Sequence, residues 1–179
     1  MTTANETADD TIEMEQPAAL YAADLLKRGR EYLAAFYRLS ENDEQAVAHP
    51  AYFLLAHTIE LALKADLLNR GFPRKGLKQL SLRHDIRALL EEAEALGLAP
   101  PEAFHQLVYS IGEMNFEHDF RYPTGYLLTV PYPAWCRSAM EELLHLIGPG
   151  IDNAAVYAQV RWASETRHLK GKRIVWSKA

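Results

Sequence analysis

The sequence predicts an all-α protein, a single helical bundle of five to six helices with a Pro- and aromatic-rich loop before the fifth. Three observations carry that expectation. Apolar residues recur at helical spacing through most of the chain. Proline, glycine and short polar residues interrupt it at intervals that suit helix ends. Segments of strand character are too few to make a sheet. The 179 residues, 49% of them apolar and 24% charged, fit one ordinary globular domain with a core of its own.

The elements follow in order. Residues 1–16 are acidic and poor in core formers, so a disordered tail is expected there. Helix one starts near Pro17 and places Leu25, Leu26, Leu33, Phe36 and Tyr37 inward. A polar link, SENDEQAVAH, leads to His49-Pro50, which opens helix two. That helix, AYFLLAHTIELALKADLL, stops at Asn69-Arg70-Gly71, with Pro73 beyond. After a basic loop, Ser81 is positioned to cap helix three, LRHDIRALLEEAEALGL, which ends near Gly97. Pro100-Pro101 starts helix four, whose inner face holds Phe104, Leu107, Val108 and Ile111. The stretch FRYPTGYLLTVPYP has too many prolines for a helix, although GYLLTV could run extended. Helix five, AWCRSAMEELLHLI, is expected to close at Gly148-Pro149-Gly150. A last segment of helical character then runs into a basic tail, so the bundle spans residues 17–160 and the tail 161–179.

Charge excludes some functions. Residues 1–16 carry five acids and no base; residues 161–179 carry six bases and one acid; the remainder of the net −5 leaves the body acidic. The body is therefore no basic nucleic-acid platform. The tail RHLKGKRIVWSKA, with Trp176 among its bases, could bind RNA by charge and stacking, stay solvated, or dock on an acidic surface. A single cysteine, Cys136, forms no internal disulfide and suits a cytoplasmic protein. The N-terminus lacks the pattern of a secretory signal, and no apolar run is long enough for a membrane span.

Helix two carries the most informative pattern. At 100° per residue, His57, Glu60 and Lys64 fall within roughly a 60° sector, with Phe53 among them. Glu60 and Lys64 stand in the favourable i,i+4 order for an ion pair. Burying charges costs several kcal/mol unless they are paired. The stripe is therefore either a polar site or a clasp that holds the bundle in register.

The runs YFLLAHTIELALKADLLNRG, LRHDIRALLEEAEALGL and FRYP together resemble the bacterial HEPN-domain superfamily over roughly residues 20–150. The resemblance rests on Glu60/Lys64, His84-Asp85 and the Arg121-Tyr122-Pro123 turn. It implies a small helical bundle, often a homodimer, that binds a nucleotide, RNA or a cognate protein partner, as in defence or toxin–antitoxin systems. Together with the stripe on helix two, this makes His57, Glu60, Lys64, His84, Asp85, Arg121 and Tyr122 the candidate ligand-binding residues, the alternative being that the charged ones are partners that hold the bundle in register. Nuclease members of that superfamily carry an Arg, a polar residue and a His at set spacing. Here Arg161 and His168 alone meet the spacing, and Trp162 stands where the polar residue belongs. An intact nuclease motif is thus not expected. A metal-independent ribonuclease using Arg161 and His168, if 151–168 is helical, is the alternative, and a purely structural dimeric assembly protein is another.

Two Glu-x-x-His pairs, Glu102–His105 and Glu142–His145, have the spacing of di-iron bundles. His145 points away from the apolar side of its helix and Glu102 suits a first-turn acid, so no metal site is expected. Glu117, His118 and Asp119 diverge on a helix and read as a polar helix end. No phosphate-binding glycine loop, dinucleotide fingerprint or nucleophile elbow occurs, and no cofactor is expected. Binding rather than catalysis is the expectation.

Overall fold

One helix organises the molecule, and its neighbours wrap it. The computed structural model describes residues 11–41, 48–79 and 81–177. Within these, α1 is Ala18–Ser40, α2 Ala48–Asn69, α3 Ile86–Ala95, α4 Glu102–Phe116 and α5 Pro133–Glu165. α2 is apolar over most of its circumference, and it packs against α1, α3, α4 and α5. Such a helix has to be enclosed in this way. Leu55, Ile59, Leu63 and Leu67 of α2 are fully buried, as are Leu26 and Phe36 of α1, Leu89 and Leu90 of α3, Phe104 and Leu107 of α4 and Leu143 of α5. Each such side chain stabilises the fold by about 1.5–3 kcal/mol through removal from water. The fold is thus the all-α bundle the periodicity indicates.

Helix ends account for much of the geometry. α2, α3 and α4 all stop on the same six-to-one closure: Phe72 N donates to Leu67 O, Leu98 N to Ala93 O and Asp119 N to Met114 O. The closure needs a left-handed residue. Gly71 and Gly97 supply it in the first two cases, but His118, at φ 65°, supplies it in the third. Glu117, His118 and Asp119 therefore form a turn rather than a helix face.

Three expectations are corrected. α3 does not begin under a Ser81 cap. It begins at Ile86, with Asp85 as N-cap accepting from Arg87 N and Ala88 N. His84 and Asp85 thus precede the helix instead of occupying its first turn. Second, Gly148-Pro149-Gly150 does not close the fifth helix, and the final segment is not separate. α5 runs 33 residues with Pro149 inside it. Packing outweighs the missing Pro149 N–H: Leu143, Ile147 and Ile151 are buried on one face on both sides of the proline. Arg30 of α1 also reaches Asp152, beyond the proline, at 3.2 Å.

Third, residues 11–16 of the N-terminal tail are not without structure. Thr11–Met14 forms β1 and Arg173–Trp176 forms β2, paired parallel with Thr11 opposite Arg173 and Met14 opposite Trp176. An acidic segment and a basic one thus meet at the two ends of the chain. Residues 1–10, the link residues 42–47 and Lys178 lie outside the described residues. The loop 117–132 contains no helix or strand, and its Gly125–Val130 segment joins no sheet. Among the described residues, no helix is long and apolar enough to cross a membrane.

Two substitutions test these assignments, one inside α5 and one at the end of α4. Pro149→Ala restores a main-chain donor in mid-helix and should raise the unfolding free energy by about 1–3 kcal/mol in urea titrations. His118→Gly removes the left-handed penalty and should add about 0.5–1 kcal/mol, read in the same titration.

Candidate functional site

Glu60 lies in the middle of α2, on the one polar stripe of an otherwise apolar cylinder. Its side chain is 6% exposed. Oε1 accepts from Lys64 Nζ at 2.5 Å. Oε2 lies 3.3 Å from His84 Nδ1 and 3.6 Å from His57 Nδ1. Lys64 Nζ also donates to the carbonyl of Arg83 at 2.8 Å. The turn before α3 is held from a second side, where Asn115 of α4 donates to the His84 carbonyl at 2.9 Å. Two elements, α2 and the 81–85 turn, therefore converge on one carboxylate, and α4 holds the turn through Asn115.

Exposure is graded across this group. Lys64 is 13% exposed, His57 28% and His84 44%. The carboxylate is the floor and the imidazoles are the rim. His57 is set by aromatic neighbours, with Tyr32 edge-on at 4.8 Å and Phe53 stacked at 6.3 Å. Arg121 reaches the same patch by lying over the Phe53 ring at 5.0 Å.

The structure thus brings His57, Glu60, Lys64 and His84 into direct contact and adds Arg121 through Phe53. It does not bring in the other two. The Asp85 carboxylate faces the N-terminus of α3 and serves as its cap. Tyr122 is 66% exposed and stands edge-on to His118 at 6.2 Å. Arg161 and His168 are separated from this patch in the fold. Arg161 pairs with Glu165 at 2.8 Å on an exposed face. α5 ends at Glu165, so His168 falls in a following 3-10 turn and the shared helical face the nuclease alternative requires is broken.

The electrostatics decide what the cluster can do. Burial alone would raise the Glu60 pKa. The His57 imidazole, the Lys64 ammonium and the His84 imidazole oppose this and hold it at about 2. A carboxylate so reluctant to take a proton is a poor general base or acid near neutral pH. Cys136 is no nucleophile either, because burial pushes its thiol up to about 12. Among the described residues, no three His, Cys, Asp or Glu side chains are grouped so as to hold a metal ion. Clefts elsewhere include one of about 460 Å³ beside Tyr52, Phe120 and Leu127 and another of about 590 Å³ beside Pro101, Glu142 and His145.

Sequence reasoning overlooked Asn115, Tyr32 and a second buried ion pair. Asp66, 3% exposed, accepts from Arg70 Nε at 2.6 Å across the same i,i+4 spacing as Glu60–Lys64. That spacing was the available signal. Nothing local marks Asn115 or Tyr32, which reach the site only through helix packing.

Glu60→Gln should cost about 3 kcal/mol in urea unfolding at neutral pH, since it leaves Lys64 buried without its counter-charge. Replacing both partners, Glu60→Leu with Lys64→Met, should cost less than Lys64→Met alone, which strands the carboxylate. Because the Glu60 pKa is depressed in the folded state, its contribution is present above its ordinary value of 4.5 and is lost as pH falls towards about 2. Acid titrations should show that loss in the wild type and not in Glu60→Gln. No protein-family model, curated protein or solved structure matches this chain.

Proposed function

We propose that this chain is a HEPN-like helical module that binds a nucleotide or single-stranded RNA, without cleaving it, at the rim formed by His57, His84 and Arg121. The observation that carries the reading is the orientation of charge around Glu60. Both carboxylates are turned inward, Glu60 onto Lys64 and the imidazoles, Asp85 onto main-chain N–H groups of α3. The groups left facing solvent are His57, His84, Arg121 and the exposed Arg83. Phe53 and Tyr32 lie among them. Cations interleaved with aromatic rings suit a ligand that combines phosphate with a flat base.

Glu60 and Lys64 have a different part in this reading. They form the clasp that holds the rim in place, and their burial favours that role over contact with a ligand. A homodimer belongs to the same reading. It is supported by an apolar stripe on the far half of α5, where Val156, Tyr157 and Val160 are 62%, 77% and 66% exposed.

The test is fluorescence anisotropy with a panel of nucleotides and short labelled RNAs. Arg121→Ala and His84→Gln should each weaken binding by about 3- to 30-fold, with the melting temperature nearly unchanged. Equal affinity in both variants and the wild type would sink the assignment. Intact RNA after prolonged incubation, in the wild type and in His168→Ala alike, is expected. Cleavage that His168→Ala abolishes would favour the ribonuclease reading instead.

A further inference from the structure

Among the described residues, β1 and β2 make a sheet of two parallel strands, with no third. Each strand gives one hydrogen-bonding edge to its neighbour and turns the other outward. On β2 that outer edge is open among the described residues. Apart from the ladder with β1, the backbone bonds at this end run from Lys172 N to Leu169 O and from Ser177 N to Met14 O. Parallel sheets are ordinarily covered, and a lone pair of strands is marginal in water. An open edge of this kind is a template for another strand.

The chemistry around the edge selects the strand. Arg167, Lys170, Lys172 and Arg173 are all exposed. The strand already seated on the inner edge is acidic, with Glu13 inside β1 and Glu15 just after it. β2 thus holds one extended acidic segment and presents the same residues to a second.

A second copy of β2 fits poorly. Two-fold antiparallel pairing must centre on a residue paired with itself: centred on Arg173 it sets that charge against its own copy, and centred on Ile174 it leaves the two Arg173 side chains diagonal neighbours. Lysine on an edge is a common guard against self-pairing. The same charges attract a strand of opposite sign.

We propose that the outer edge of β2 binds an extended acidic segment of another polypeptide as a third strand. Ile174 and Trp176 share one face of the strand and Arg173 and Val175 the other, with Lys172 in the turn just before it. The fitting segment places carboxylates opposite Lys172 and Arg173 and an apolar side chain opposite Ile174. Trp176 packs on Trp162 of α5 at 5.3 Å, which anchors the end of the strand to the bundle. Main-chain bonds supply affinity and the charges supply selection.

The probe is a labelled synthetic peptide, DDTIEMEQP, which repeats residues 9–17 of the chain and contains the Thr11–Met14 strand that β2 already pairs with. Its charge-reversed form, KKTIKMKQP, is the control. Full-length protein should bind the acidic peptide and not the control. Hydrogen exchange should then slow at residues 173–176 while residues 11–14 stay protected. The double variant Lys172→Glu/Arg173→Glu should lose about tenfold or more in affinity with an unchanged helical circular-dichroism spectrum. Three results overturn the proposal. Protection lost at 11–14 on binding means the peptide displaces β1 and leaves the outer edge empty. Binding without slowed exchange at 173–176 means charge attraction without a strand. Slowed exchange at 173–176 that grows with protein concentration and needs no peptide means a second copy occupies the edge.

Discussion

The Glu60 carboxylate is the constraint on which the arrangement depends. It sits in the most apolar helix of the molecule, where an unpaired charge would cost several kcal/mol. The fold answers by bringing cations and donors to it from two elements: Lys64 and His57 from α2 itself, His84 from the turn before α3. Once Lys64 has turned to Glu60, its remaining donors reach the Arg83 carbonyl and fix the turn. Asn115 then secures that turn from α4. The start of α3, the height of α4 and the direction of the rim imidazoles all follow from one buried negative charge. This is a specific geometric device in a bundle whose remaining contacts are mostly non-directional apolar packing.

Much of this was legible because it is local. Pro17, Pro50, Pro101 and the glycines at 71 and 97 mark helix ends with chemistry that acts within one turn. The i,i+4 spacing of Glu60 and Lys64, and His57 one turn earlier, foretold the stripe that the structure closes. What failed was decided by distant partners. Pro149 looks like a stop, yet Ile147 and Ile151 find the same core on either side of it. Ser81 looks like a cap, but Lys64 and Asn115 seize the carbonyls of Arg83 and His84 and leave the capping to Asp85. The pairing of Thr11–Met14 with Arg173–Trp176 joins two four-residue segments about 160 positions apart and leaves no periodic trace. The candidate site divided in the same way. Four residues linked through Glu60 assembled as expected, and Arg121 arrived by way of Phe53. Asp85 and Tyr122, nominated by short motifs, lie apart from that group: Asp85 caps α3 and Tyr122 stands exposed beside His118.

The graded exposure from Glu60 to His84 separates holding from contacting. A residue 6% exposed with a pKa near 2 shapes the surface without meeting what lands on it. On the proposed reading, substitutions on the floor and on the rim therefore report different quantities, stability for one and affinity for the other. Confusing the two would make a clasp look like a ligand contact, since loss of fold removes binding as well.

The parallel pairing of β1 and β2 also sets how the molecule bears force. Thr11 at the start of β1 lies beside Arg173, and Trp176 at the end of β2 lies beside Met14. A pull on the two chain ends draws the strands past one another along their length, so every bond of the ladder is loaded at once. Antiparallel ends drawn from the same side would instead open one bond at a time. The short sheet thus acts as a shear pin across the termini. Under tension the helices stay shielded until it gives way, and the first extension event should be the abrupt release of both ends together.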